Sequence, residues 1–99
     1  MDIKANEVYS MKLNSGEELI AKVIGQIGNE LVIKEPVSVA PGPQGMGLVP
    51  SLFTVDTDSD IRLNMNSVTV YGLTEENVKN KYIDATRQIV VPSKKMILG

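Results

Sequence analysis

Apolar and polar residues alternate with a period of two through most of the first seventy positions, which commits the chain to β-strands with one buried face. Tyr9, Met11 and Leu13 point one way and Ser10 and Lys12 the other, until Asn14-Ser15-Gly16 supplies a tight polar turn. A second strand carries Leu19, Ala21, Val23 and Ile27 on one face and Glu18, Lys22 and Gln26 on the opposite one; Gly25 and Gly28 flank the next reversal. Leu31-Val32-Ile33 forms a third strand, rich enough in branched residues to be buried on both faces. Pro36 removes a ladder donor and predicts a bend or an edge before Val37 and Val39 resume the pattern.

Pro41 to Pro50 holds three prolines and three glycines in ten residues, which predicts an exposed loop. The longest alternation follows. Phe53, Val55, Thr57, Ser59, Ile61, Leu63 and Met65 share one face, and Thr54, Asp56, Asp58, Asp60, Arg62 and Asn64 the other. The register never slips between Leu52 and Met65, which predicts one long curved strand, bent where Thr57 and Ser59 thin its inward face. Asn66-Ser67 then turns the chain into a last strand through Val68, Val70 and Leu73. After Gly72 the period changes: Val78, Tyr82, Ala85 and Ile89, with Ile83 beside them, fall at helical spacing. Thr74 is the expected N-cap, and Glu75 and Glu76 suit the positive end of the helix dipole. The expectation is therefore a single domain over residues 1–99, mostly β. About five strands lie between residues 7 and 73 in a strongly bent sheet, followed by one C-terminal helix over about 75–90, which stops ahead of Pro92, and a tail over 93–99.

Composition narrows the function. The chain has no His and no Cys, so the commonest general acid-base group, the commonest metal ligand and every thiolate site are missing. We expect no enzyme, no cofactor and no bound metal. The lack of Cys fits a reducing compartment, most simply the cytoplasm. No apolar run is long enough to span a membrane, and the charged stretch Met1–Asn6 does not read as a signal peptide. The net charge of −2 is uneven: residues 1–73 hold nine acidic and five basic side chains, residues 74–99 three acidic and five basic. A duplex-DNA partner is not expected of so acidic a body, and the basic end reads as a solvated surface.

Three local motifs have plain readings. Asp56-Thr57-Asp58-Ser59-Asp60 begins like a calcium loop, but Ile61 stands where the loop needs Gly and Ser67 where it needs Glu. The run is better read as the solvent face of a strand. The glycines from Pro41 to Gly47 lack the Lys-Ser/Thr of a phosphate loop. Tyr9, Tyr71, Tyr82 and Phe53 are scattered, as core residues would be, and make no stacking platform.

The order of elements resembles the Sm-like (LSm/Hfq) family. Leu13-Asn14-Ser15-Gly16, Leu19-Ile20-Ala21-Lys22-Val23 and Glu30-Leu31-Val32-Ile33 are similar to its first signature, with Ala21 at the small-residue position. Ile61 to Tyr71 resembles the second, shorter signature, so the likeness spans residues 9–71. Ring-forming members of phage or bacterial origin are the nearest comparison. The resemblance implies a small SH3-type barrel whose copies close into a ring, the fourth strand of one pairing with the fifth of the next. It also implies single-stranded RNA held by loops facing the pore. Gln26, Asn29, Asn64 and Asn66 are the residues that would line them, as amides able to bond base edges without net charge. Three departures stand against a simple transfer. The family's loop Asp and Asn appear here as Gln26 and Glu30, its Arg-Gly pair is missing at Leu63-Asn64-Met65, and the helix follows the last strand instead of preceding the first. These favour an alternative: a non-enzymatic structural or protein-interaction ring that binds no RNA, such as a phage assembly or regulatory component.

Overall fold

A computed structural model describes the backbone of residues 2–98 and the side chains of residues 2–87. Strands β1 (Glu7–Leu13), β2 (Glu18–Ile27), β3 (Glu30–Gly42), β4 (Gly45–Pro50), β5 (Ile61–Asn64) and β6 (Val68–Leu73) precede one helix, α1 (Glu76–Leu98). All pairings are antiparallel, in the order β4-β3-β2-β1-β6, and β5 also pairs with β3. Among the described residues, no helix is long and apolar enough to cross a membrane.

The period-two reading holds for β1 and for β2 as far as Val23, whereas Ile27, expected on the buried face, is 53% exposed beyond the register shift after Val23, and the turns between strands follow their residues. Gly16, at φ +93°, donates to the Leu13 carbonyl at 2.9 Å. Gly28, at φ +58°, opens a two-residue turn between the paired Ile27 and Glu30. Both positions are left-handed, where a Cβ is penalised. Gly25 does not flank the turn as expected; it lies inside β2, where the register against β3 shifts. Leu31, Val32 and Ile33 are buried, as their density predicted.

Four expectations are corrected. Pro41–Pro50 is not a loop: it belongs to a β3–β4 hairpin in register from Val37↔Pro50 to Gly42↔Gly45. Pro50 is tolerated there because β4 is an edge strand with no second neighbour to which an N–H is owed. The long strand from Leu52 to Met65 does not form. Only Ile61–Asn64 pairs, and residues 51–60 leave the sheet. At Asp56 the carboxylate accepts from the Asp58 N–H at 3.0 Å and the Ser59 hydroxyl at 2.9 Å, a local turn that short polar side chains offer in competition with a ladder. Among the described residues the sheet therefore has six strands, and it is not closed into a barrel, since β6 pairs there with β1 alone. A 3-10 turn, Met65–Ser67, carries the chain from β5 to β6 without pairing them.

The fourth correction concerns the helix. It starts at Glu76, and the Glu75 carboxylate caps it, accepting from the Asn77 and Val78 N–H groups at 3.0 and 3.2 Å. Thr74, the expected cap, shares a 2.8 Å bond with the Ser10 hydroxyl and so fastens β6 to β1. The helical backbone continues past Pro92 to Leu98, replacing the expected tail. Proline's locked φ is itself compatible with a helix, although the residue forfeits one hydrogen bond and its ring crowds the carbonyl four residues earlier. Ile89, expected on the apolar stripe, has its side chain outside the described residues, as does the whole of Gly99.

Two cores result. Inside the bent sheet, Tyr9, Met11, Leu19, Ala21, Val23, Leu31 and Ile33 pack together, and Ile61, Leu63, Met65 and Val68 cover them. On the outer face Val8, Ile20 and Val37 receive Tyr82 of α1, with Val78 and Ile83 beside it.

The helix docks on a defect in the sheet. Between the pairs Ile20↔Val37 and Lys22↔Lys34, the single residue Ala21 of β2 faces both Glu35 and Pro36 of β3. This is a bulge, and it leaves backbone groups without ladder partners. The Tyr82 hydroxyl replaces them: it donates to the Glu35 carbonyl at 2.8 Å, shares that proton with the Lys34 carbonyl at 3.2 Å, and accepts from the Lys22 N–H at 3.1 Å. The bend that Pro36 predicted falls here, where β3 exchanges β5 for β4 along the same edge. Glu35 sits at φ +52°, an unfavourable region for a residue with a Cβ and more so before proline. Glu35→Gly should relieve that strain and, after the added chain entropy of the unfolded state, raise stability by up to about 1 kcal/mol. A thermal melt checks it; a lowered midpoint would refute the assignment of strain.

Candidate functional site

Two features stand out once the fold is in place: a polar run of amides along the 3-10 turn, and the free edge of β6.

The amide run starts at Asn29 in the β2–β3 turn, whose carbonyl accepts from the Met65 N–H at 2.9 Å and whose side-chain Nδ2 donates to Asn64 Oδ1 at 3.3 Å. Asn64 ends β5 and caps the 3-10 turn, since the same Oδ1 accepts from the Asn66 N–H at 2.9 Å. Asn14, from the β1–β2 turn, donates from Nδ2 to the Asn66 carbonyl at 2.7 Å, and its Oδ1 accepts from the Thr69 hydroxyl. The structure thus brings Asn29, Asn64 and Asn66 together, as the sequence expectation grouped them. Gln26 is exposed and stands apart: its Nε2 folds back to the Gly28 carbonyl at 3.2 Å, and among the described residues it makes no hydrogen bond to any of the three. Arg62 is close by, 3.3 Å from Glu30 with both side chains about half exposed, so its charge is already matched.

Asn14 and Thr69 escaped the sequence reading, because they lie in segments that only the bending of the sheet carries to the 3-10 turn. The chemistry of the run is mixed. Asn64 Oδ1 and the Asn14 amide are spent on holding turns, whereas among the described residues the Asn64 Nδ2 and the Asn66 side chain have no protein partner. Asn64→Ala should therefore cost about 1 kcal/mol, the usual worth of a cap. Asn66→Ala should change stability by less than about 0.5 kcal/mol. Urea melts of the two variants check this, and equal losses would contradict the division of labour.

The second feature is β6. Among the described residues it pairs with β1 on one side only, leaving a row of backbone groups open. Its apolar side chains are exposed on both faces: Val70 61%, opposite Lys12, and Tyr71 41% and Leu73 59%, on the face shared with Met11 and Tyr9. Sequence alternation placed Val70 and Leu73 in a strand but not at an edge, since which strand lacks a neighbour is a property of the whole sheet.

The carboxylates of Asp56, Asp58 and Asp60 do not form a metal centre; among the described residues no three His, Cys, Asp or Glu side chains converge on an ion-sized site. The hydrogen bond from the Asp58 N–H, followed by that from Ser59, holds the Asp56 carboxyl below its ordinary range. Phe53, expected on a buried face, is 83% exposed because the strand that would have buried it does not form.

No protein-family model matches the chain, and no curated protein matches its sequence.

Proposed function

We propose that this chain is a subunit of a homo-oligomeric ring of Sm-like design, joined edge to edge through β6, and that it works as a non-enzymatic structural or protein-interaction module. The observation that carries this reading is the open edge of β6 with Val70, Tyr71 and Leu73 uncovered on its two faces. A monomer seldom leaves such a strand bare, because it templates pairing with any other strand. The complementary edge is that of β5, which pairs with β3 on one side and has its other side open among the described residues. A head-to-tail contact between two different edges closes into a ring or grows into a filament, and closure is what a stable assembly requires. Light scattering on the purified chain tests the proposal, with a mass several times the subunit's 10.8 kDa as the expected result. A strictly monomeric mass across the accessible concentration range would remove it.

A second reading, single-stranded RNA held at Asn29, Asn64 and Asn66, is favoured by the uncommitted Nδ2 of Asn64 and side chain of Asn66. Amides suit base edges. Against it stand the acidic body and the pairing of Arg62 with Glu30. Fluorescence anisotropy with oligo-U and oligo-A at two salt concentrations separates the readings. RNA binding predicts saturation weakened by Asn66→Ala, a variant that leaves the fold intact, and no binding at low salt excludes it.

A further inference from the structure

No Asp, Glu, Lys or Arg occurs from Pro36 to Val55, and the paired part of the β3–β4 hairpin, Val37 to Pro50, lies wholly inside that stretch. Among the described residues β4 pairs with β3 alone, so one of its sides is open. Which backbone groups it opens follows from the ladder. The Ser51 N–H donates to the Pro36 carbonyl at 3.0 Å, and bonded positions alternate along an antiparallel pair. Val49, Gly47 and Gly45 therefore bond to β3, whereas Leu48 and Met46 turn their N–H and C=O groups outward. On the far side of the hairpin, β2 accompanies β3 no further than Ser38↔Leu19, and Pro41 has no N–H to offer there. The β4 edge is thus the side on which the hairpin can accept a strand. It lacks the charged side chains with which sheets discourage one.

This edge is self-complementary. With two copies antiparallel about Gly47, Met46 stands opposite Leu48 of the second copy, and the two residues exchange both of their backbone hydrogen bonds. Met46, 48% exposed, then covers the flank of Leu48, which already packs against the outer core of Val8, Ile20, Val37 and Tyr82. On the other face Val49, 43% exposed, stands over Gly45 of the second copy, which brings no side chain to crowd it. With no charge on either strand, no like-charge pair opposes the contact. We propose that β4 pairs with β4 of a second copy across a twofold axis. The contact rests on the ring joined through β6 and stacks two such rings, because an isologous contact added to a closed ring gives a dihedral assembly. Gly45 to Val49 falls far short of the roughly 20–30 residues a side of a stable interface, so single subunits do not hold together by β4. A ring presents several copies of the edge at once, and their effects multiply.

Light scattering on the full chain and its variants tests the stack. The wild type should have about twice the mass of Met46→Lys and of Met46→Pro. The lysine sets a charge on the docking edge, and the proline removes an N–H that β3 does not use. Met46 is exposed and prolines already stand at positions 41 and 50 of the hairpin, so unchanged melting temperatures certify the fold. Val70→Lys combined with Tyr71→Lys should release subunits of 10.8 kDa, since β4 does not join them singly. Equal oligomeric masses for the wild type and both Met46 variants overturn the stack and leave the ring standing. A strictly monomeric wild type overturns ring and stack together. A dimer that survives in the β6 double variant and dissolves on adding Met46→Lys also overturns the stack, since β4 would then be the primary contact.

Discussion

Tyr82→Phe should destabilise the protein by about 1–3 kcal/mol, and Tyr82→Ala by about 3–5 kcal/mol, both read from urea melts. The first change deletes one hydroxyl from a side chain that is 3% exposed and leaves the ring packed on Val8, Ile20 and Val37. What it orphans is backbone. The Lys22 N–H and the Glu35 carbonyl meet at a bulge and have no ladder partner to return to. The second change empties the outer core as well. Loss of less than about 0.5 kcal/mol in Tyr82→Phe would mean that water satisfies the bulge and that the hydroxyl is incidental.

The same group sets a limit at high pH. Burial, and then the negative charge of Glu35, pushes the Tyr82 phenol well above its ordinary value. Its folded-state proton is therefore held more tightly than in the unfolded chain, where it leaves near pH 10. The stabilisation is fully present below that pH and is lost as pH rises beyond it, on the order of 1 kcal/mol per pH unit. Because Tyr82→Phe lacks this group, the stability gap between the two proteins should shrink above pH 10. A gap unchanged from pH 9 to pH 11 would contradict the buried, protonated phenol.

The other large effect concerns assembly. Val70→Lys combined with Tyr71→Lys should raise the Kd for self-association about a hundredfold, equivalent to about 3 kcal/mol, and shift the light-scattering mass towards 10.8 kDa. The two positions lie on opposite faces of β6 and are both exposed, so the folded subunit should keep its melting temperature. Lysine on an edge strand is how sheets discourage pairing, since docking would desolvate its charge. An oligomer that persists in the double variant would place the subunit contact somewhere other than β6.

How far the chain could be read depended on what kind of interaction decided each segment. β1 and β2 were legible because burial of one face writes itself as alternation, and Leu31 to Ile33 because burial of both faces writes itself as density. The same code misled between Leu52 and Ser59. Asp56, Asp58 and Ser59 satisfy an alternating pattern while bonding to one another in a turn. Pro41 to Gly47 misled in the opposite sense, because an edge hairpin tolerates prolines and glycines that a central strand would reject. Of the candidate site, the grouping of Gln26, Asn29, Asn64 and Asn66 came from the resemblance, and the structure sets Gln26 apart from the other three. Their division into capping and uncommitted atoms was not legible, since it depends on distances across the fold.

The sequence by itself determined which residues of β1 and of β2 up to Val23 face the interior of the sheet, where its first turn falls, and that a helix follows the last strand. These depend on side-chain periodicity and on φ preferences, which act over a few residues. Only the tertiary structure decided that β3 serves β5 and β4 in succession, that Tyr82 fills the resulting bulge from 60 residues beyond Lys22, and that β6 is left as an edge. Those outcomes depend on which segments meet, and a local pattern carries no record of its distant partner.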